Sequence, residues 1–185
     1  SNAGYVDYIK CRNSIFKFIV LQNLEYNIDF FCHCWNMDLE KKLNEIYKPK
    51  NILVEDNNKY STDIKKRCKK HKDFGGISQA LSMRKAVKLK EQYEEEHNFK
   101  YDIVILYRYD ILLWKPIILD NYKLTENNIF VNGHRKCNGD FHFIMTNNNA
   151  IIFKELFNSA LKGNNHKVHY WIKNFIVEFC KKKLI

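Results

Sequence analysis

Phe99-Lys-Tyr-Asp-Ile-Val-Ile-Leu-Tyr-Arg-Tyr-Asp-Ile-Leu-Leu-Trp-Lys-Pro116 is the stretch on which the fold turns. Ile103 to Leu106 form a short, continuous apolar run, the pattern of a strand buried on both faces. Arg108-Tyr109-Asp110 follows at once and places a cation and a carboxylate where that strand ends. Trp114-Lys115-Pro116 then turns the chain away. In an open parallel sheet, ligands bind in the crevice outside the carboxyl ends of the strands. Arg108 and Asp110 are therefore a candidate site, and a solvated ion pair is the plain alternative.

Working outward, hydrophobic periodicity predicts a helix from Tyr5 to about Leu24 and a strand over Tyr26–Trp35. A short helix over Asp38–Ile46 is stopped by Pro49, and a second strand covers Lys50–Val54. Glu55–Phe74 reads as a polar, Lys-rich loop. Gly75-Gly76 ends it, and Ser78 is the expected N-cap of a long helix reaching about His97. After the central strand, Ile117–Leu119, Ile129–Val131 and Gly139–Met145 read as strands. Asn147–Lys162 and Val168–Cys180 read as helices. Helices alternating with apolar strands predict one α/β layered domain over residues 1–185, with a mainly parallel central sheet flanked by helices.

The chain has 185 residues and a formal charge of +10, which suits an anionic partner. Much of that charge is local, in Lys59–Lys72 and Lys181-Lys-Lys183. The run Lys65–Lys72 has no interleaved aromatics, so base stacking on nucleic acid is unsupported. The six cysteines match no zinc spacing, and the expectation is reduced, buried thiols in a cytoplasmic protein. In Cys32-His33-Cys34, neighbouring side chains of a strand point to opposite faces and cannot easily chelate one ion. No apolar run reaches the ~18 residues of a membrane span. No signal-peptide pattern opens the chain, and Ser1-Asn2-Ala3 reads as a scar of tag removal.

Several blocks occur in a familiar order. They are Asp29-Phe-Phe-Cys-His-Cys-Trp-Asn36, Tyr47-Lys-Pro-Lys50, Ser82-Met-Arg-Lys-Ala86 before Gln92-Tyr-Glu94, Tyr101–Asp110, and Gly139-Asp-Phe141. Together, over about residues 25–160, they resemble glycosyltransferase-like proteins of bacterial surface-polysaccharide clusters and large DNA viruses. The resemblance implies a GT-A-like, Rossmann-like nucleotide-binding fold. It implies transfer of a sugar from a nucleotide-sugar donor to a glycan, lipid-linked or protein acceptor. In that family a carboxylate motif holds a divalent metal on the donor diphosphate, which implies Asp110 as ligand to Mn²⁺ or Mg²⁺. Arg108 would touch the diphosphate as a bidentate cation. Asp140 matches the family's Asp-Gln-Phe and is the candidate base for the acceptor hydroxyl, with a structural hydrogen bond as the alternative. Here the motif carries one carboxylate where two are usual, and Leu106 stands where an arginine is common. The family's opening strand, part of its nucleotide pocket, has no counterpart before the first helix.

Gln79, Ser82 and Lys85 lie on the first turns of the long helix and suit a phosphate. Ser82 and Lys85, three apart, share one face and match the family's Ser-x-x-Lys spacing. His134 and Arg135 sit in a polar loop, His142 reads as structural, and His166 and His169 read as a surface pair or a late metal ligand set. The alternative to a transferase is a non-catalytic carbohydrate- or nucleic-acid-binding protein on a reduced form of the same fold.

Overall fold

The computed structural model describes residues 7–67, 74–134, 137–162, 172, 174–179, 181 and 183–185. Within them the chain is α/β. Helix α1 (Tyr8–Phe18) opens it, capped by the Asp7 carboxylate, which accepts from the backbone N–H groups of Ile9 and Lys10. Strand β1 (Phe31–Cys34), helix α2 (Glu40–Tyr47) and strand β2 (Asn51–Val54) form a right-sized crossover, and β1 and β2 pair in parallel with Cys32 opposite Ile52. Helices α3 (Asn57–Arg67) and α4 (Phe74–His97) follow, then β3 (Ile103–Tyr107), β4 (Asn128–His134) and β5 (Cys137–Thr146). Helices α5 (Asn147–Ala150) and α6 (Ile152–Lys162) lead to a π-helical stretch (Phe175–Phe179) and the short strand β6 (Lys183–Leu184).

The larger sheet has the order β3-β5-β4-β6. Both ladders made by β5 are antiparallel, with Ile105 opposite Ile144 and Phe130 opposite Ile144 on the other side. Only β4–β6 is parallel in that sheet. The expectation of a mainly parallel sheet with β3 at its centre is thus corrected. The reason is sequence spacing: β4 ends at His134 and β5 begins at Cys137, and a parallel return needs a crossover of a dozen residues or more. β5 therefore folds back between β4 and β3 and leaves β3 at the sheet edge.

The apolar run of β3 does serve two faces. Val104 and Leu106 pack with Phe143, Met145, Val87 and Phe153, under α4 and α6. Ile103, Ile105 and Tyr107 pack with Ile15, Ile19, Leu43 and Tyr47, under α1 and α2. All five β3 residues are half-buried and not fully buried, because one edge of the strand carries no ladder partner. β1 stands beside that edge without a ladder to it, and side chains link the two: the Tyr101 hydroxyl donates to Asp29 Oδ2 at 2.7 Å, and Tyr109 meets Cys34.

Three local expectations differ from the structure. Asn57–Arg67 is a helix where a loop was expected, started by Asp56, whose carboxylate accepts from the N–H of Asn58 at 2.8 Å. Helix α4 begins at Phe74, so Ser78 is a buried interior residue and no cap; Ile77 and Leu81 packing beside Phe74, Trp35 and Tyr60 offset the cost of two glycines in the first turn. Ile117–Leu119 is no strand. It is held by Asn23, which is fully buried, donates to the carbonyls of Ile19 and Ile117, and accepts from the Leu119 N–H at 2.7 Å. Asn23→Ala is expected to cost about 2 kcal/mol in urea unfolding, since it strands those backbone groups in the interior. Of the expected Val168–Cys180 helix, residues 172 and 174–179 are described and are helical, with π-helical bonding over Phe175–Phe179; the rest lies outside the described residues.

Candidate functional site

Arg108 and Asp110 leave the C-terminal end of β3 on a tight turn closed by the Ile111 N–H on the Arg108 carbonyl at 3.2 Å. The two side chains form a fork: Arg108 Nε donates to Asp110 Oδ1 at 3.1 Å, and Nη2 donates to Oδ2 at 2.9 Å. This is the planar, two-bond geometry that distinguishes arginine from lysine. Their side chains are 39% and 34% exposed, so the pair meets solvent. Tyr109 between them points the other way. Its hydroxyl lies 3.0 Å from Cys34 Sγ and its ring 5.8 Å from that of Tyr8, and burial pushes its phenol well above the ordinary value. Tyr109 thereby ties the end of β3 to the end of β1.

At the ends of β1 and β2 stands a second polar group whose key members were not singled out in the sequence. Strand alternation sends Cys32 and Cys34 toward α1 and α2 and sends His33 toward α4. His33 Nδ1 is 2.7 Å from Ser82 Oγ, and His33 Nε2 is 3.3 Å from Glu55 Oε2. Lys85 pairs with the same Glu55 oxygen, and the Tyr60 hydroxyl donates to Glu55 Oε1 at 2.7 Å. Trp35 closes the group edge-on to His33 at 4.5 Å, and the Lys85 ammonium lies 4.2 Å from the Tyr60 ring centre.

The protonation pattern follows. Burial drives His33 from 6.5 down to about 4, and the nearby Lys85 adds to that, so the ring is neutral near pH 7. Burial alone would raise the Glu55 carboxyl; hydrogen bonds from Lys85, Tyr60 and His33 outweigh it and hold it below its ordinary value. An ionised carboxylate only accepts, so His33 donates from Nε2 and its Nδ1 accepts the Ser82 hydroxyl. Ser82–His33–Glu55 has the connectivity of a nucleophile–base–acid chain. A base held near pH 4 with a carboxylate already neutralised by Lys85 is too weak for that chemistry at neutral pH. The group instead fixes α4 against β1 and β2.

The candidate residues thus fall into two groups at one end of the strands. Ser82 and Lys85 do share a helix face, which is turned to His33 and Glu55. Gln79 lies one turn earlier on α4, half-buried. Asp140 is on β5, which runs antiparallel to β3, so its half of the strand lies at the end where Arg108 and Asp110 emerge. The Asp140 and His134 side chains, Arg135, His166, His169 and most of Lys65–Lys72 lie outside the described residues. His142 is opposite Tyr107, their rings 6.2 Å apart, and burial lowers its basicity.

Glu55 and His33 escaped the sequence reading because each carries meaning only through its partners. The signal available was the alternation in Phe31–Cys34, which sets His33 on the face opposite its cysteines.

Both Asp110 oxygens accept from Arg108, and among the described residues no group of three His, Cys, Asp or Glu side chains comes together to hold an ion. A separate cleft of about 350 Å³ lies at the opposite end of β3, lined by Lys90, Glu94, Lys100 and Asn147 among others. Its buried charges are paired with each other. No family model, curated protein or solved structure matches the chain.

Proposed function

We propose that the chain is a glycosyltransferase on a GT-A-like fold, moving a sugar from a nucleotide-sugar donor to a hydroxyl acceptor. The observation that supports this most is the exposed Arg108–Asp110 fork at the end of β3, next to the carboxyl ends of the parallel pair β1 and β2. The donor diphosphate lies against Arg108, whose fixed guanidinium plane matches two phosphate oxygens. Asp110 orients that plane. Arg108 is the principal anchor because Lys85, also a candidate, is only 15% exposed and balanced by Glu55. Ser82 and Gln79 form the α4 side of the donor site. Asp140 takes the proton of the acceptor hydroxyl as its oxygen bonds to the anomeric carbon and the bond from that carbon to the donor phosphate breaks, the nucleotide leaving with the electron pair. Asp110 is the residue that would hold Mn²⁺ or Mg²⁺ beside the donor diphosphate, the cation offsetting the negative charge that the Arg108–Asp110 pair, itself neutral, leaves in place.

A thermal-shift series against UDP-, GDP-, CMP- and dTDP-sugars, each with Mn²⁺ and with EDTA, tests the reading. One nucleotide class is expected to raise the melting temperature by mass action, and the difference between its Mn²⁺ and EDTA arms reads whether a metal on Asp110 takes part. Arg108→Gln is expected to weaken donor binding by about tenfold or more, the scale of a lost charge-assisted bond. No shift with any donor on the folded protein would overturn the proposal. A shift with no release of free nucleotide on adding acceptors would favour the binding-only alternative.

A further inference from the structure

Between β1 and β3 the two sheets leave a slot. The strands run side by side in one direction: Asp29 before β1 meets Tyr101 before β3, and Cys34 at the end of β1 meets Tyr109 just past β3. Tyrosine side chains make both links, and among the described residues no backbone hydrogen bond joins the two strands. Their Cα atoms scarcely come within 8 Å of each other. Hydrogen-bonded neighbours lie about 4.8 Å apart, so two strands with a third between them stand about 9.6 Å apart. The carbonyls of Phe30 and Cys34 accept from Lys50 and Glu55 on the β2 side, so alternation turns the backbone groups of Phe31 and His33 toward β3. Helices cover both faces of the slot. α1 and α2 lie on one side with Ile15, Leu43 and Tyr47, and α4 lies on the other with Val87 and Ser82. Strand edges without ladder partners between apolar walls are costly. Tyr47 is a second sign. It is 5% exposed, its hydroxyl has no hydrogen-bond partner, and Cys11 of α1, Cys32 of β1 and Tyr107 of β3 act on it electrostatically, which places it at the edge of the slot.

We propose that the slot seats a parallel strand of the protein's own polypeptide that leads into α1. The connections argue for this occupant. β1–α2–β2 is a parallel crossover, and such crossovers are right-handed. A strand in the slot, followed by α1 and then β1, steps across the sheet in the same direction, and the common hand puts its helix on the face that α2 occupies. α1 lies on that face. α1 also starts at the matching end: the Tyr8 ring is 5.8 Å from that of Tyr109, beyond the carboxyl ends of β1 and β3, where a parallel strand in the slot finishes. Buried on both faces, the strand is a continuous run of β-branched apolar residues with no interior proline. It joins the two sheets into one. Seating of the strand stands whether or not the Arg108–Asp110 fork binds a nucleotide-sugar.

The test compares the chain itself with two forms extended ahead of Ser1. One carries Lys-Val-Val-Ile-Val-Val-Thr, and the other has proline at alternate apolar positions, which cannot donate to a ladder. In the chain itself, amide hydrogen exchange is expected to be at least about tenfold faster at Phe31 and His33 than at Cys32 and Cys34, which ladder to β2. The apolar extension is expected to slow exchange at Phe31, His33 and the outer edge of β3 at least about tenfold, and to raise the melting temperature by about 5 °C or more. The proline form is expected to do neither. Three results would overturn the proposal: Phe31 and His33 amides already as slow as their neighbours in the chain itself, an apolar extension that protects no better than the proline form, or protection found only in a dimer, where a second copy's strand fills the slot.

Discussion

Replacing Glu94 by alanine is expected to cost the fold about 3–5 kcal/mol, the range for removing one partner of a buried ion pair. Glu94 sits on the last turn of α4 with its side chain 1% exposed. Its Oε1 accepts from Lys90 Nζ at 2.9 Å and from the Tyr101 N–H at 3.0 Å, and its Oε2 accepts from Lys100 at 3.2 Å. It therefore fixes the end of α4 to the chain just before β3. Burial alone would raise its carboxyl; those three donors outweigh it and hold it below its ordinary value. Without Glu94, the buried Lys90 ammonium keeps only Asn147 among the partners named for it. The loss is a stranded charge more than a lost bond. The control follows from the same physics: Lys90→Met with Glu94→Leu removes both charges and is expected to be far milder than Glu94→Ala alone. Urea unfolding of the two single variants and the pair checks this. If the double variant is as unstable as Glu94→Ala, the cost lies in packing and not in charge.

Stability is also expected to fall by about 3 kcal/mol between pH 6.5 and about 4, mostly through His33. The direction follows from the lowered basicity. The folded ring stays neutral while the unfolded chain takes up a proton near pH 6.5, so acid draws the equilibrium toward the unfolded state. The full contribution is present above pH 6.5, declines as pH falls, and changes no further below the folded value. His142, also lowered by burial, acts in the same direction. Glu55 and Glu94 add their losses below their ordinary carboxylate value of 4.5, where both are held ionised by their donors. His33→Gln removes the His33 titration, and its stability is expected to be flatter across this window while lower at pH 7. Urea unfolding at pH 7 and at pH 4.5 is the measurement, and an unchanged slope in His33→Gln would refute the assignment.

Much of the architecture could be read from the residues alone, and the reason is periodicity. Ile103–Leu106, Asn51–Val54 and the long helix ending at His97 carry patterns set by local geometry, so their type needs no knowledge of the partner. The same holds for Ser82 and Lys85 sharing a helix face and for Arg108 and Asp110 emerging where β3 ends. Cap chemistry at Asp56 was equally local, and it marks α3 in a stretch whose lysines suggest a loop.

The tertiary structure alone decided which strands pair and which charges meet. The order β3-β5-β4 depends on a short connection folding β5 back beside a strand some thirty residues earlier, and hydrophobic pattern is blind to that choice. The grouping of His33, Glu55, Tyr60, Ser82 and Lys85 joins three segments, with His33 and Ser82 49 positions apart. A lysine in sequence is a cation available to any anion. In the fold, Lys85 belongs to Glu55 and Lys90 to Glu94, while the Arg108–Asp110 fork at the end of β3 stays part-exposed to solvent. Ionic partners are chosen by distance and burial, and both come into existence only when the chain has packed.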